Sequence, residues 1–444
     1  MYITEPKKQI PIAYQADLLV VGGGCTGVFA AVRAARLGLN VALVEKQNAL
    51  GGVAGNGLVN IWHSLYDVDF HEQIIAGLTA ETVEHLKKTD SVILTDSEST
   101  AIRFDPNMMK HILDGYIQEN KIKLFLHTHY DGLLTDGNRV TAVLLCNKDG
   151  RSAITADFFI DATGDGDLMR DLNVEYFQSH RMQPPSSCFF MTGDAGNDLS
   201  ELIEKHGQEF GLEDDWGWNG TVPGLKDITF RADFHVFNVD CSRAEDLTYA
   251  EIEGRRKAFA FTSMLKKYGG KNSTIAALCS QIGIRETKHY RTRYQAKEME
   301  LLTGKRYEDA VLNGTYRVDI HHNHDNGITF KYLDGRQETI YGKSGKKVQG
   351  NWRQALGLDS CYAKFYQVPF SILVPNQIEN LLPAGRMLNA DDGAFGALRV
   401  MVNLNQLGEA AGTAAYLALH TQKSVQALSG VQIRNLLREN GSAL

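Results

Sequence analysis

No stretch of the 444 residues reaches the roughly 18 consecutive apolar residues that a membrane-spanning helix needs, so no membrane span is expected. A basic surplus is also missing: 46 Lys and Arg stand against 53 Asp and Glu, a formal net charge of −7. Proteins that bind nucleic acid carry a basic stripe or excess, so a nucleic-acid partner is not expected either. Residues Met1 to Pro11 are polar and charged where a secretory signal would place its apolar segment. The six cysteines (Cys25, Cys146, Cys188, Cys241, Cys279, Cys361) are scattered, with no C-x-x-C pair. That pattern fits reduced thiols rather than a disulfide framework or zinc site, and it omits the dithiol of disulfide reductases. Each cysteine reads as a small buried hydrophobe, and the expected location is the cytoplasm. Internal repeats, low-complexity tracts and heptads are absent.

What is present is enough apolar sequence, 43% of residues, to bury a large core in two or three domains. Asp17-Leu18-Leu19-Val20-Val21 is the short apolar run of a central parallel strand. Gly22-Gly23-Gly24-Cys25-Thr26-Gly27 then matches G-x-G-x-x-G, and an Ala-rich helix is expected from Val28 to Leu37, closed by Gly38. A second strand, Asn40 to Glu45, follows. Gly22 permits the tight turn, Gly24 lets a pyrophosphate approach the backbone, and Gly27 lets the helix pack on the sheet. The helix N-terminus offers N–H groups to the phosphates, and Cys25 and Thr26, in the turn before it, are expected at the cofactor as well. Glu45 lies 21 residues after Gly24 and can accept hydrogen bonds from ribose hydroxyls. Strand, turn, helix, second strand and terminal acid together indicate a bound adenine dinucleotide.

The next residues, Lys46 to Gly52, with Gly51 and Gly52 paired, resemble the E-K-x-x-x-x-G-G stretch of FAD enzymes of the glutathione-reductase-like class. Runs at Lys123–Leu126, Tyr130–Leu134, Val140–Leu145 and Ala153–Ala156, with turns at Asp136-Gly137-Asn138 and Asp149-Gly150, predict a small antiparallel meander. It leads into Ile160-Asp161-Ala162-Thr163-Gly164-Asp165-Gly166-Asp167, similar to the second FAD motif of FAD-dependent oxidoreductases. Near the end, Asn380 to Arg386, Leu398 to Met401 and Gly408 to Gly412 resemble that group's closing motif. The resemblance implies FAD as cofactor. Ala162, Thr163 and Gly164 would then approach the adenosine, Tyr130 would meet adenine through its backbone, and Gly385 and Arg386 would complete the site. A helix start around Met401, Val402 and Asn403 would direct its dipole at the flavin, although relatives often have proline where this chain has Val402.

The implied fold is α/β: a Rossmann-like FAD-binding domain (parallel sheet plus antiparallel meander) from 1–170 and 378–444, with an inserted α+β substrate domain over 171–377. Within the insertion, Ile284-Arg285-Glu286-Thr287 is similar to the group's G-[IV]-R-E-[TS]-R segment. Tyr316-Arg317-Val318-Asp319-Ile320-His321 is similar to Y-P-I-D-I-H, with Arg317 in place of the proline. Arg285 reads either as a helix-end ion pair with Glu286 or as a charge facing the flavin or an anionic group. His321 is the candidate acid or base, against a structural histidine. His321, His322 and His324 lack helical i, i+4 spacing and a thiol, so a solvated loop is expected there and no metal site. Asn56, Asn60, Trp62 and His63 are expected beside the flavin ring, Trp62 as packing. Lys343, Lys346 and Lys347 are expected in a solvated loop between Gly342 and Gly350.

These readings give an FAD-dependent oxidoreductase that transfers two electrons, as hydride, between a small organic substrate and non-covalently bound FAD. One dinucleotide fingerprint leaves electron exchange to the substrate or to an external acceptor or donor. A non-redox flavoprotein (isomerase or hydratase) and a flavoprotein subunit of an electron-transfer complex are the alternatives.

Overall fold

The structure is a computed structural model that describes residues 2–94, 101–180, 182–193, 200–213, 215, 217–269, 272–342 and 345–444. Its central sheet is built on the first strand, Ile12–Val21, which pairs in parallel with Val41–Val44 on one side and with Gly150–Asp161 on the other. Lys123–Phe125 extends the sheet in parallel beyond Val41–Val44, and Leu381–Pro383 joins it in parallel beside Phe159–Asp161. The side chains alternate as a two-sided sheet requires. Leu18, Val20 and Leu43 pack toward the helices, whereas Leu19, Val21 and Val44 pack with Val143, Leu145 and Ile154 of the meander.

Three sequence expectations change here. Lys123–Phe125 is a parallel edge strand and not part of the meander, which consists of His129–Asp136, Arg139–Asn147 and Gly150–Asp161. A short apolar run cannot by itself reveal the direction of its partner. The segments around Ala153 and Phe158 form one continuous strand, paired with Arg139–Asn147 at its start and with Leu381–Pro383 at its end. The first strand begins at Ile12 because its early residues find partners along that long strand, from Ile12 opposite Ala153 onward.

The glycine helix spans Cys25–Arg36, starting three residues before Val28 because the Gly24 carbonyl accepts from Val28 N at 3.0 Å. The helix Met401–Thr421 lies against it, and two glycines set the approach. A Cβ on Gly408 or Gly412 would fall 2.2 or 2.3 Å from the carbonyl oxygens of Thr26 and Ala30. Between the same helices, Arg33 and Glu409 form a buried ion pair, and Glu409 also accepts from Leu78 N at 3.0 Å.

Residues 171–377 contain two four-stranded sheets. Trp218–Thr221, Ile228–Ala232, Phe189–Thr192 and Thr274–Leu278 form one, backed by the long helix Ala244–Tyr268. Val318–His321, Gly327–Lys331, Arg336–Tyr341 and Lys347–Asn351 form the other. The expected Gly342–Gly350 loop is therefore largely the turn and returning strand of a hairpin, with Lys346 and Lys347 exposed and Lys343 outside the described residues. Cys146 and Cys361 are exposed, contrary to the buried expectation; Cys146 falls on an outward position of the alternating strand Arg139–Asn147. No described helix is long and apolar enough to cross a membrane.

Candidate functional site

A cavity of about 600 Å³ opens over the C-terminal ends of the parallel strands, within the size range of small-molecule sites. One part of its lining is backbone. Gly22, with φ +109°, turns the chain out of the first strand so tightly that a Cβ would lie 2.2 Å from Ala162 O. A Cβ on Gly27 would lie 1.9 Å from Gly22 O, so the helix can seat on the turn only with glycine there. Gly24 behaves differently: a Cβ there would meet no protein atom within 4 Å and would project toward the cavity that Gly24 lines. The helix behind it has no side-chain cap. A glycine that the protein's own packing does not require, at an uncapped helix N-terminus, fits a phosphate group lying against the backbone.

Glu45 supports this turn from the second strand. Its carboxylate accepts from Gly23 N at 2.6 Å and Gln47 N at 2.8 Å while lining the cavity. Gly51 pairs with Gly24 and donates to Gly23 O at 2.8 Å, which brings Gly51 and Gly52 into the lining. Lys46, Cys25 and Thr26 also reach it. Burial pushes the Cys25 thiol up to about 12, so it stays protonated. Opposite, Ala162, Thr163 and Gly164 form a loop held by Asp161, which the sequence reading passed over. The buried Asp161 carboxylate accepts from Thr163 N, Thr163 Oγ1, Leu168 N and Met169 N at 2.7–3.1 Å. Burial raises its pKa to about 6 against the pull of those donors. Arg386 reaches across this loop to Asp165 at 2.6 Å, and Gly385 and Arg386 both line the cavity. Tyr130 lines it too, with its hydroxyl donating to Asp171 at 2.7 Å.

The other part of the lining is made of charged and aromatic side chains. Arg285 is not paired with Glu286 and is not at a helix end. Its Nη1 donates to Pro184 O at 2.7 Å and Ser186 Oγ at 2.8 Å, and it faces the cavity. Glu286 instead accepts from Gln183 N, Ser179 Oγ and His289 Nε2. His321 also leaves the expected solvated loop: it ends the strand Val318–His321, is 5% exposed and lines the cavity. Asp319 Oδ1 lies 3.3 Å from His321 Nε2 and 3.3 Å from Arg399 Nη2, while Asp319 Oδ2 accepts from the Tyr316 hydroxyl. The Tyr316 ring lies against His63 at a tilt of 33°, centroids 3.9 Å apart. Burial and Arg317 bring His63 down to about 3; burial, Arg285, His235 and Arg399 hold His321 well below its ordinary value. Both imidazoles are neutral at pH 7.

Behind His321, and outside the lining, stands His235, whose ring centroid is 4.7 Å from that of His321. Its Nδ1 donates to Asp215 Oδ1 at 2.9 Å, and its buried Nε2 has no hydrogen-bond partner among the described residues. His235, Asp215 and the role of His63 left no readable signal in the sequence. Asp319 and Arg399 lay within recognised motif blocks, and the alternation of Asp319 with His321 along one strand could have flagged the acid. Met401 begins the helix Met401–Thr421 and lines the cavity, whereas Val402 and Asn403 are buried away from it. Asn403 Nδ2 donates to Tyr366 OH and Ala397 O. Trp62 is packing, edge-on to Phe29 and Phe104. Among the described residues no group of three or more His, Cys, Asp or Glu is placed to hold a metal ion.

Comparison with known proteins agrees with this geometry. Residues 17–437 match the family described as FAD dependent oxidoreductase. Dihydrolipoyl dehydrogenase of Trypanosoma brucei brucei is 50% identical over 50 residues, 11% of this chain and 10% of that protein. The mitochondrial dihydrolipoyl dehydrogenase of Macaca fascicularis is 28% identical over 156 residues, 34% of this chain and 28% of that protein. The chain thus spans less than a third of the length of these two curated relatives. Among solved structures, a geranylgeranyl bacteriochlorophyll reductase-like protein from Thermoplasma acidophilum is 12% identical with a TM-score of 0.48, covering 97% of this chain and 84% of that one. A myxobacterial chondrochloren halogenase is 13% identical with a TM-score of 0.47, covering 93% and 77%. With a matching family over nearly its whole length, the chain belongs to the FAD dependent oxidoreductases, an enzyme family with FAD as cofactor.

Proposed function

We propose that this enzyme transfers two electrons, as a hydride, between a small organic substrate and non-covalently held FAD, with His321 handling the accompanying proton. The observation that supports this most is the continuity of one cavity, from the glycine turn to a wall carrying a neutral, buried histidine. Gly22, Gly24, Gly27, Gly51, Gly52 and Ala162–Gly164 would hold the pyrophosphate and adenosine, with Glu45 accepting from the ribose. Tyr130, Gly385 and Arg386 would border the same cofactor, and Met401 brings the positive end of its helix to the cavity. When bound, FAD supplies the hydride acceptor or donor.

The chain's own part is to orient the substrate and move the proton. Because His321 is neutral, a ring nitrogen can accept a proton at pH 7, and Asp319 beside Nε2 stabilises the imidazolium that results. Arg285 supplies fixed positive charge next to it. The single dinucleotide fingerprint leaves the second half-reaction to an external electron acceptor or donor, and the scattered thiols favour work in the cytoplasm.

The test is spectroscopic. The purified protein should show an oxidised flavin band, acid precipitation should release the flavin into the supernatant, and an anaerobic panel of small organic substrates should contain members that bleach the band. Flavin retained in the acid pellet overturns non-covalent binding. Turnover of a substrate without any bleaching or net redox change overturns the hydride reading in favour of an isomerase or hydratase.

A further inference from the structure

The charged wall has more guanidinium than it has carboxylate to match. Arg285, Arg317 and Arg399 all line the cavity. Three acids reach the lining among the described residues, and two of them serve elsewhere. Glu45 accepts from its own turn, and Asp167 accepts from Arg170. Asp319 alone stands near the arginines, and it is engaged with Arg399, Tyr316 and His321. Among the described residues Arg285 therefore has only neutral acceptors, Pro184 O and Ser186 Oγ. Arg317 makes no hydrogen bond or ion pair among the described residues; its guanidinium lies over the rings of Phe330 at 4.1 Å, Tyr316 at 5.2 Å and Tyr332 at 5.6 Å. Its Nε is buried without a partner, and Asp319 and, after it, Glu338 act on it as negative charges without pairing with it.

Charges taken out of water are normally matched by an opposite charge and by hydrogen bonds, since the desolvation cost is otherwise not offset. We propose that Arg285 and Arg317 bind the carboxylate of an anionic substrate, which makes this enzyme specific for small organic acids. The aromatic faces around Arg317 fix its planar fork in one orientation, as bidentate carboxylate recognition requires. Arg285 remains charged at neutral pH although burial and Arg399 lower it to about 10. Arg317 is also one of two residues, with Val318, at which this chain departs from the Y-P-I-D-I-H pattern, so carboxylate selection would be a property of this chain rather than of that pattern. The inference rests on FAD occupying the glycine turn, which leaves the arginine wall for the substrate.

Binding of carboxylate probes to the FAD-loaded enzyme tests this without turnover. Malonate and succinate, titrated anaerobically, should perturb the flavin absorbance saturably, and their diamides should not. Arg317→Gln should weaken probe binding by about tenfold or more at unchanged flavin content, and Arg317→Lys should recover part of the loss. If Arg317→Gln does not retain flavin, the titration is read from Arg317→Lys, which should still bind more weakly than wild type. Absence of a saturable change with either acid, equal response to the diamides, or undiminished binding in the variants overturns the proposal. If the variants shift the flavin reduction potential without touching probe binding, the arginines serve the cofactor and the proposal is likewise wrong. The titration needs bound flavin but no turnover, so it can succeed where the redox test fails, and a neutral substrate that bleaches the flavin can defeat it while the redox reading stands.

Discussion

The two parts of the cavity lining are built from different materials. The glycine turn is backbone shaped by what is missing: Gly22 and Gly27 let the strand, turn and helix close on each other, and Gly24 leaves open space beside the backbone. The charged wall is side chain throughout, with His63, Arg285, Arg317, Asp319, His321 and Arg399 brought together from four separate stretches of the sequence. The first part therefore defines a cofactor class that many chemistries can share, while the second is free to vary with the substrate. Changes at one should be separable from changes at the other.

The largest separation is expected at His321. His321→Gln should lower kcat by about 10²–10⁴-fold, the usual weight of a general acid or base, while FAD content stays at wild-type level. Loss of flavin together with activity would show instead that the wall is needed to build the turn. Next comes the junction beneath the turn. Glu409→Ala strands Arg33 without its carboxylate in the interior and should cost about 3–5 kcal/mol in denaturant unfolding. An undisturbed midpoint would mean that the helix pair is held by packing alone.

A finer contrast lies between two glycines of the same turn. Gly27→Ala places a Cβ against Gly22 O and should destabilise the apoprotein by about 1–3 kcal/mol. Gly24→Ala meets no protein atom, so the apoprotein should melt as wild type, yet FAD affinity should fall about tenfold or more. Equal melting shifts in both variants would count against a ligand beside Gly24. A further contrast is the effect of pH. His63 is held near 3 in the folded chain against an ordinary 6.5, so the unfolded chain binds the proton first as pH falls. Stability should be complete above about 6.5 and decline as pH drops from there toward 3, and His63→Gln should flatten that slope in thermal unfolding.

The same contrast governs how much the sequence reveals. Gly22, Gly24, Gly27 and Glu45 stand at fixed short spacings because one strand, one turn and one helix must close on each other, so their pattern is local and readable. The wall has no such pattern. His235 and Asp215 meet across 20 residues, and Arg399 meets Asp319 across 80. Arg285 beside Glu286 invites pairing of neighbours in sequence, yet the extended backbone points the two to different surroundings, Glu286 toward His289 and Arg285 toward the cavity. His321 next to His322 suggested a wet loop, but His321 still belongs to the strand it ends and is buried, whereas His322 follows that strand and is half-buried. The edge strand Lys123–Phe125 misled for a related reason, since three apolar-rich residues carry no mark of direction.

Gly408 and Gly412, seated against the carbonyls of Thr26 and Ala30, have a consequence for how the enzyme is made. The helix that braces the dinucleotide turn is encoded nearly 400 residues after it, and Leu381–Pro383 adds its strand to the sheet equally late. During synthesis the fingerprint leaves the ribosome early and must wait, without its supporting helix, for the rest of the chain. The packing that would brace FAD is therefore completed only after the helix Met401–Thr421 has been made.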